Sequence, residues 1–291
     1  MTIGFEWARD ERDGEPPPGA HDHTSAPSSA LRYRGTPLAP FRLAALQSAY
    51  DEPTVDFLRA VGVGEGARCW EVGAGTGAVA GWLSERVGSG GHVLATDDDP
   101  RQLERLTAAA NVAVRRHDLL VDEMPAEQFD LVHARLQLTH RPDRVRLVTR
   151  LLSALVPGGC LVVEEVSPKD QRVLSADRAS AFYGVQWRVL ELLSDAGCDF
   201  GFADAAGDVM KEAGLVDVGA VSATACWHGG DVALQVLRAS VLELGPWLAA
   251  AGVEAQELDD YLELLDDPSF ELTSYPLIST CGRKPLTPAG W

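Results

Sequence analysis

The stretch "EVGAGTG", residues 71–77, closes the apolar run "ARCWEV" (67–72) and sets glycines at 73, 75 and 77 behind the carboxylate of Glu71. Glycine has no Cβ, so its backbone can turn left-handed and bring N–H groups close to a ligand. The next residues read as a helix over Val79, Trp82, Leu83 and Val87, stopped by Gly88. A strand, a bare loop and a helix N-terminus in that order make a ligand cradle. Gly73, Gly75 and Ala78 also satisfy G-x-G-x-x-A, the pattern that seats a dinucleotide pyrophosphate. Glu71 weighs against that ligand, because a carboxylate at the mouth of the loop repels a pyrophosphate and suits an ammonium and a sulfonium.

Strand-like and helix-like stretches alternate on the downstream side. "HVLAT" (92–96) precedes a helix from Pro100, "VAVRR" (112–116) and "FDLVHA" (129–134) read as strands, a helix covers 143–155, and "CLVVEEV" (160–166) follows the turn "PGG". Such alternation implies a mostly parallel sheet with helices on both faces. Upstream, Phe41, Leu43, Ala44 and Leu46 lead a helix to Tyr50, and Asp51 and Pro53 predict the start of a second, which Gly62 ends. Beyond residue 170 the spacing predicts helices over 176–196, 205–213, 231–250 and 254–265, with strands "VDVGAVSATACW" (216–227) and "YPLISTCGR" (275–283). The chain divides into a polar tail (1–36), a core with entry helices (37–168), and the rest of the sheet with an inserted helical cap (169–291).

Bulk composition narrows the partners. The 25 basic against 43 acidic residues give a net charge of −18, which repels phosphate backbones and anionic lipid, so neither nucleic acid nor membrane is expected. No run approaches the roughly 18 consecutive apolar residues of a membrane span, and the first thirty residues lack a secretory pattern. A cytoplasmic location follows as the expectation. Cys69, Cys160, Cys198, Cys226 and Cys281 form no C-x-x-C pair and are expected as buried free thiols. No metal site is expected; His21 and His23 in the tail form only an isolated H-x-H, while "RYRG" (32–35) could order as a lid.

Glu71, Gly73, Gly75 and Gly77 resemble the first motif of the class I S-adenosylmethionine-dependent methyltransferases, an acidic residue followed by G-x-G-x-G. Four further segments match that family in order: "VLATDDDP" with Asp97 three residues before Pro100, "RRHDLL" with Asp118 and Leu119, "FDLVHARLQLTHRPD", and "LVPGGCLVVEE". The likeness is strong over about 40–167, in outline over 215–282, and nearest to menaquinone-biosynthesis-like bacterial small-molecule enzymes. It implies a Rossmann-like, doubly wound α/β fold: a mostly parallel seven-stranded sheet with an antiparallel last strand and a helical cap. It further implies S-adenosylmethionine as cofactor, S-adenosylhomocysteine as product and a small-molecule acceptor, and leaves room for a homodimer. By resemblance the loop, with Ala74, wraps the methionine moiety and Glu71 serves its amino end. Asp97, with Asp98 beside it, takes the ribose hydroxyls, Asp118 and Leu119 take the adenine, and Ala134 and Arg135 border the cofactor. The competing reading is an NAD(P)-dependent oxidoreductase built on the same loop.

Methyl transfer to a protonated acceptor calls for a base. His140, just past the fourth predicted strand, is the first candidate, and Glu164 and Glu165, ending the fifth, are the next. Successive strand residues face opposite ways, so at most one of those carboxylates is expected to face the cleft. For the acceptor, the aromatic-rich late segment offers Tyr183, Trp187, Trp227 and His228.

Overall fold

A computed structural model describes residues 37–286; the tail, with His21, His23 and the "RYRG" segment, lies outside the described residues. In chain order the elements begin with α1 (Ala39–Val61), β1 (Arg68–Val72), α2 (Ala78–Val87), β2 (His92–Asp97), β3 (Val112–Arg116), β4 (Phe129–Arg135), α3 (Arg144–Ser153) and β5 (Leu155–Val166). They continue with α4 (Ala179–Asp195), α5 (Phe202–Glu212), β6 (Val216–Ala223), β7 (Cys226–His228), α6 (Gln235–Ala250), α7 (Ala255–Leu264), β8 (Glu271–Thr273) and β9 (Leu277–Arg283). Pro100–Ala108 forms a 3-10 helix between β2 and β3.

Seven strands make one sheet in the order β3-β2-β1-β4-β5-β9-β6, and β7 pairs with β8 in a separate two-stranded ribbon. The first five are parallel, while β9 runs antiparallel to both β5 and β6. This is the expected Rossmann-like arrangement. Strand order reverses between β1 and β4, and in open α/β sheets the crevice at the carboxyl ends beside that reversal is where ligands bind. The glycine loop lies there.

Three apolar cores hold the layers. Trp70, Val72, Leu94, Phe129 and Leu161 pack one sheet face against Leu147 and Leu151 of α3 and Phe202 and Met210 of α5. Cys69, Val93, Leu131 and Val162 pack the other face against Val79 and Leu83 of α2 and Leu58 of α1. The cap has its own core, built from α4, α6, α7, the ribbon and the middle of α1, and includes Phe182, Val189, Leu237, Tyr261 and Phe270. The rings of Tyr261 and Phe270 flank Phe182 at 5.4 and 5.6 Å. Val232–Ala250 is long and apolar enough, by composition, to cross a membrane, with mean hydropathy 1.2; Leu237, Val241, Leu244 and Leu248 bury one of its faces in the cap.

Three expectations need correction. The two entry helices are a single one, α1, which runs through Pro53. Arg42, Ala45, Ala49, Thr54 and Leu58 form one buried stripe on both sides of the proline, and that burial outweighs the roughly 3 kcal/mol an internal proline costs. The strand expected over 216–227 breaks after Ala223, because Ala225 and Ser274 exchange hydrogen bonds and lead the chain from β6 into the ribbon. Cys226, at the start of that ribbon, is exposed rather than buried, and Cys281 is intermediate.

Phe182 is fully buried and meets three other aromatic rings. Phe182→Ala is expected to lower unfolding free energy by about 3–5 kcal/mol, read by urea denaturation. A loss below about 1 kcal/mol would show that the cap core contributes little to the cooperative unit.

Candidate active site

The three alternating glycines all adopt left-handed backbone, with φ of 68° at Gly73, 54° at Gly75 and 80° at Gly77. An L side chain resists that region, which explains the residue type at each position. The loop is laced down by the amide of Ala74 on the Thr96 carbonyl (2.9 Å) and that of Gly77 on the Ala74 carbonyl (2.7 Å). Space matters at Gly73 as well: a Cβ there would lie within 2.1–2.5 Å of the Gln137 carboxamide. From above, α1 roofs the loop, with Leu43 over Gly75 and the Thr76 hydroxyl donating to Gln47 (3.1 Å).

Acidic groups rim this cradle. Asp97, only 7% exposed, accepts the amide of Gly75 on Oδ2 and that of Asp99 on Oδ1, both at 3.0 Å. One carboxylate thus ties the loop after β1 to the turn after β2. Asp98 lies between, its carbonyl accepting from Arg116, while Asp99 pairs with Arg101 and caps the 3-10 helix. At the end of β3, Asp118 accepts the Leu120 amide (2.9 Å), with Arg141 at 3.4 Å; Leu119 is buried and its carbonyl accepts from Arg150.

Glu71 is buried under the loop and joined to a residue that sequence reasoning passed over. In register with Glu71 across the β1–β4 pair stands His133, fully buried. Its Nδ1–H donates to Glu71 (2.6 Å) and its Nε2–H to Glu164 on β5 (3.1 Å). Both partners only accept, so the ring carries both protons. Burial alone would lower its pKa, but the two carboxylates outweigh that and raise it to about 9. Glu164 is completed by the hydroxyls of Thr54 and Ser279, each at 2.5 Å. Burial opposes its charge, yet His133 and those hydroxyls hold its pKa below the ordinary carboxylate range.

Residues 70–159 match the protein family described as "Methyltransferase domain". That segment is similar to a methyltransferase domain. The chain is 29% identical over 110 residues to Methyltransferase str3 and 30% over 132 residues to Methyltransferase str2, both of Strobilurus tenacellus. Those matches cover 38% and 44% of this chain and 39% and 42% of the relatives, so the match spans about two fifths of their length. Among solved structures, the chain resembles phosphoethanolamine N-methyltransferase 2 of Haemonchus contortus, in complex with phosphomonomethylethanolamine and S-adenosylhomocysteine. That likeness has a TM-score of 0.51 at 16% identity, covers 84% of this chain and 57% of that one, and is a likeness of fold. The matches speak for the methyltransferase domain and not for the menaquinone-biosynthesis subtype.

The fold engages some expected site residues in other contacts. Arg135 points to α1, donating to Asp51 (2.7 Å) and Thr54 (3.0 Å), and Ala134 is buried in the core of the opposite sheet face. Glu164 and Glu165, the next candidate bases after His140, are both buried and engaged, on opposite faces of β5. Glu165 accepts the amides of Gln137 (3.0 Å) and Leu138 (2.6 Å), and burial raises its pKa to about 7 against the pull of those bonds. His140 meets solvent, and its Nδ1 accepts from the Cys198 thiol (2.8 Å). Crowding around the ring, then the charges of Arg42, Arg141 and Arg144, lower its pKa even though part of the residue is exposed, so the neutral form prevails at pH 7.

Of the four acceptor candidates, Tyr183 and Trp227 pack with the cap core, while Trp187 and His228 are exposed. Tyr183 and Trp187 stack on α4 at 6.0 Å, and the Tyr183 hydroxyl is spent on the backbone of Gln171 and Val173. Trp227 is buried and lines a cleft of about 580 Å³ with Tyr50, Glu52, Asp56, Asp231 and Ser274. His228 faces solvent with Glu271 at 3.3 Å. Helical spacing places Tyr183 and Trp187 side by side, while the ribbon's alternation turns Trp227 inward and His228 outward. Among the described residues, no group of three or more His, Cys, Asp or Glu side chains is arranged to hold a metal ion.

His133 sets a pH dependence of stability. Its folded pKa lies above the unfolded value near 6.5, so its contribution is full below that pH and fades as pH rises through about 9. Urea unfolding of the wild type against His133→Gln at pH 6 and pH 10 should give a stability gap about 3 kcal/mol larger at pH 6. An equal gap at both would remove the charged bridge.

Proposed function

We propose that this chain is an S-adenosylmethionine-dependent methyltransferase acting on a small organic acceptor of the specialised-metabolite kind. The observation that carries this reading is the carboxylate-laced glycine loop: three left-handed glycines bound through Gly75 to Asp97, above the buried Glu71–His133–Glu164 bridge. The donor set fits the cofactor. Gly73 and Gly75 let main chain approach the methionine part, and Asp97 and Asp98 would take the ribose hydroxyls. Asp118 and Leu119 lie at the next strand end, for the adenine. Glu71, Asp97, Asp98 and Asp118 together make a field that favours a sulfonium and opposes the pyrophosphate of a dinucleotide. The oxidoreductase alternative is disfavoured for that reason.

The bound cofactor supplies a methyl group already activated by its sulfonium, so the protein's task is to orient the acceptor and exclude water. α1 closes the loop from above through Leu43 and Gln47. His140, neutral at pH 7, is the candidate to take a proton from the acceptor, with Cys198 fixing its ring through Nδ1. The net charge of −18 supports a small acceptor over nucleic acid.

Calorimetric titration tests the cofactor assignment. S-adenosylhomocysteine should bind and NAD(P) should not, and Asp97→Ala should weaken binding by about 1.5–3 kcal/mol through lost hydrogen bonds to a charged group. Tight NAD(P) binding without S-adenosylhomocysteine binding would reject the reading. Once an acceptor is found, His140→Gln should lower kcat by about 10²–10⁴ with cofactor affinity intact. An unchanged kcat would exclude His140 as the base.

A further inference from the structure

Leu136, the first residue past β4, has φ of 56°. A leucine holds left-handed backbone only where its surroundings over-determine it, and such residues gather at functional sites. Here the restraint can be named. The Leu136 amide bonds the Glu164 carbonyl (2.8 Å), and the next two amides, of Gln137 and Leu138, both converge on Oε1 of Glu165. Beyond them, the Thr139 carbonyl accepts the Asp199 amide (3.0 Å), docking the connection between α4 and α5 onto the turn. A buried carboxylate oxygen therefore fastens this turn where no neighbouring strand does. The turn in turn carries Gln137, whose carboxamide occupies the space in which a Cβ on Gly73 would stand and donates back to the Arg135 carbonyl (3.3 Å).

We propose that Glu165 is a positioning residue for the cofactor loop: its buried carboxylate locks the 136–138 turn and so holds Gln137 against Gly73. This rests on the reading that the glycine loop receives the methyl donor, but assigns Glu165 a role other than the base its place at the strand end suggested. The surroundings agree. Its second oxygen, Oε2, is buried without a hydrogen-bond partner, while the Thr139 hydroxyl lies near enough to favour the charge without completing a bond. On the same face stand Cys198 and Asp199 of the α4–α5 connection, His140 of the turn and Arg144 of α3. Arg144 is 3.4 Å from Asp199, and Cys198 and His140 bond each other. The neighbouring β9 residue is Ile278, and His133 and Glu164 lie on the opposite face.

Two signs follow from the raised Glu165 pKa. As the folded value, about 7, lies above the unfolded one, stability is fullest below pH about 4.5 and declines as pH rises through 7. The hold on the turn runs the other way, since the carboxylate that forms over that range accepts the two amides more strongly than the acid does. A purely structural Glu165 would move stability alone. His133 titrates above this window and His140 below it.

S-adenosylhomocysteine affinity at pH 6, 7 and 8, with amide exchange of residues 136–139 in the ligand-free protein, tests the proposal. Wild-type affinity should rise about fivefold or more from pH 6 to pH 8, in the range of ordinary site coupling, as the turn amides become better protected. Glu165→Gln keeps an acceptor oxygen without the charge, and should fold normally and lose the pH trend. Glu165→Ala should bind weakly at every pH, and Gln137→Ala should match it, with the double variant no worse than either single one. A Glu165→Gln profile that tracks the wild type, or undiminished affinity in Gln137→Ala, would overturn the assignment. Should the wild type fail to bind S-adenosylhomocysteine, the proposed function falls instead. Amide exchange would still decide whether Glu165 holds the turn: pH-independent protection of Gln137 and Leu138 would overturn it.

Discussion

Two carboxylates and one imidazolium are sealed between β1, β4 and β5, and the site stands on that arrangement. Glu71, His133 and Glu164 are each no more than 3% exposed. Removing charges from water is costly, and an ion pair in the interior persists only when geometry and further hydrogen bonds compensate. Here His133 meets a carboxylate on each side, and Glu164 gains the hydroxyls of Thr54 from α1 and Ser279 from β9. One hydrogen-bonded set thus spans four neighbouring strands and the entry helix. It forms the floor on which the glycine loop turns, with Arg135 extending it to Asp51.

The opposite sheet face bears a different load at the same edge. Glu165 points away from the triad into the side packed by α3 and α5, where its carboxylate serves main-chain amides instead of a charged partner. The alternation of a strand lets adjacent glutamates brace two separate structures: one the strands beneath the cofactor loop, the other the turn beside it. Hydrogen bonding decides how their pKa values part. Glu164 has a cationic partner and is held low, whereas Glu165 has only amides and a near hydroxyl and is pushed up by burial.

The entry helix links these layers. α1 places Leu43 and Gln47 over the glycine loop, Thr54 at the triad and Leu58 in the core beneath, while Arg42 reaches Ser240 and Glu243 of α6. The cleft lined by Trp227 lies along Ser48, Glu52 and Asp56 of the same helix. These residues and the loop-facing Leu43 and Gln47 occupy separate stretches of its surface, so α1 both roofs the cofactor loop and walls a second depression beside the cap.

Local chemistry settled much of this protein in advance. Alternating glycines behind Glu71, the strand and helix periods from 67 to 166, and Asp97 and Asp118 at successive strand ends were legible because each depends on residues close in the chain: a bare backbone, a repeat of two or 3.6, a carboxylate at a turn. The parts that periodicity could not supply are those made by residues far apart in sequence. His133 gains its charge only when β1 and β5 bring Glu71 and Glu164 to its two nitrogens. Glu165 becomes a brace only because the turn after β4 folds back over it. Pro53 stays within a helix only because the stripe on either side is buried. A polar residue inside an apolar strand was the one available signal for His133, but a single chain does not disclose which strands will be neighbours. Sheet order is decided by tertiary packing, and with it whether a buried ionisable group is paired, strained or free to react.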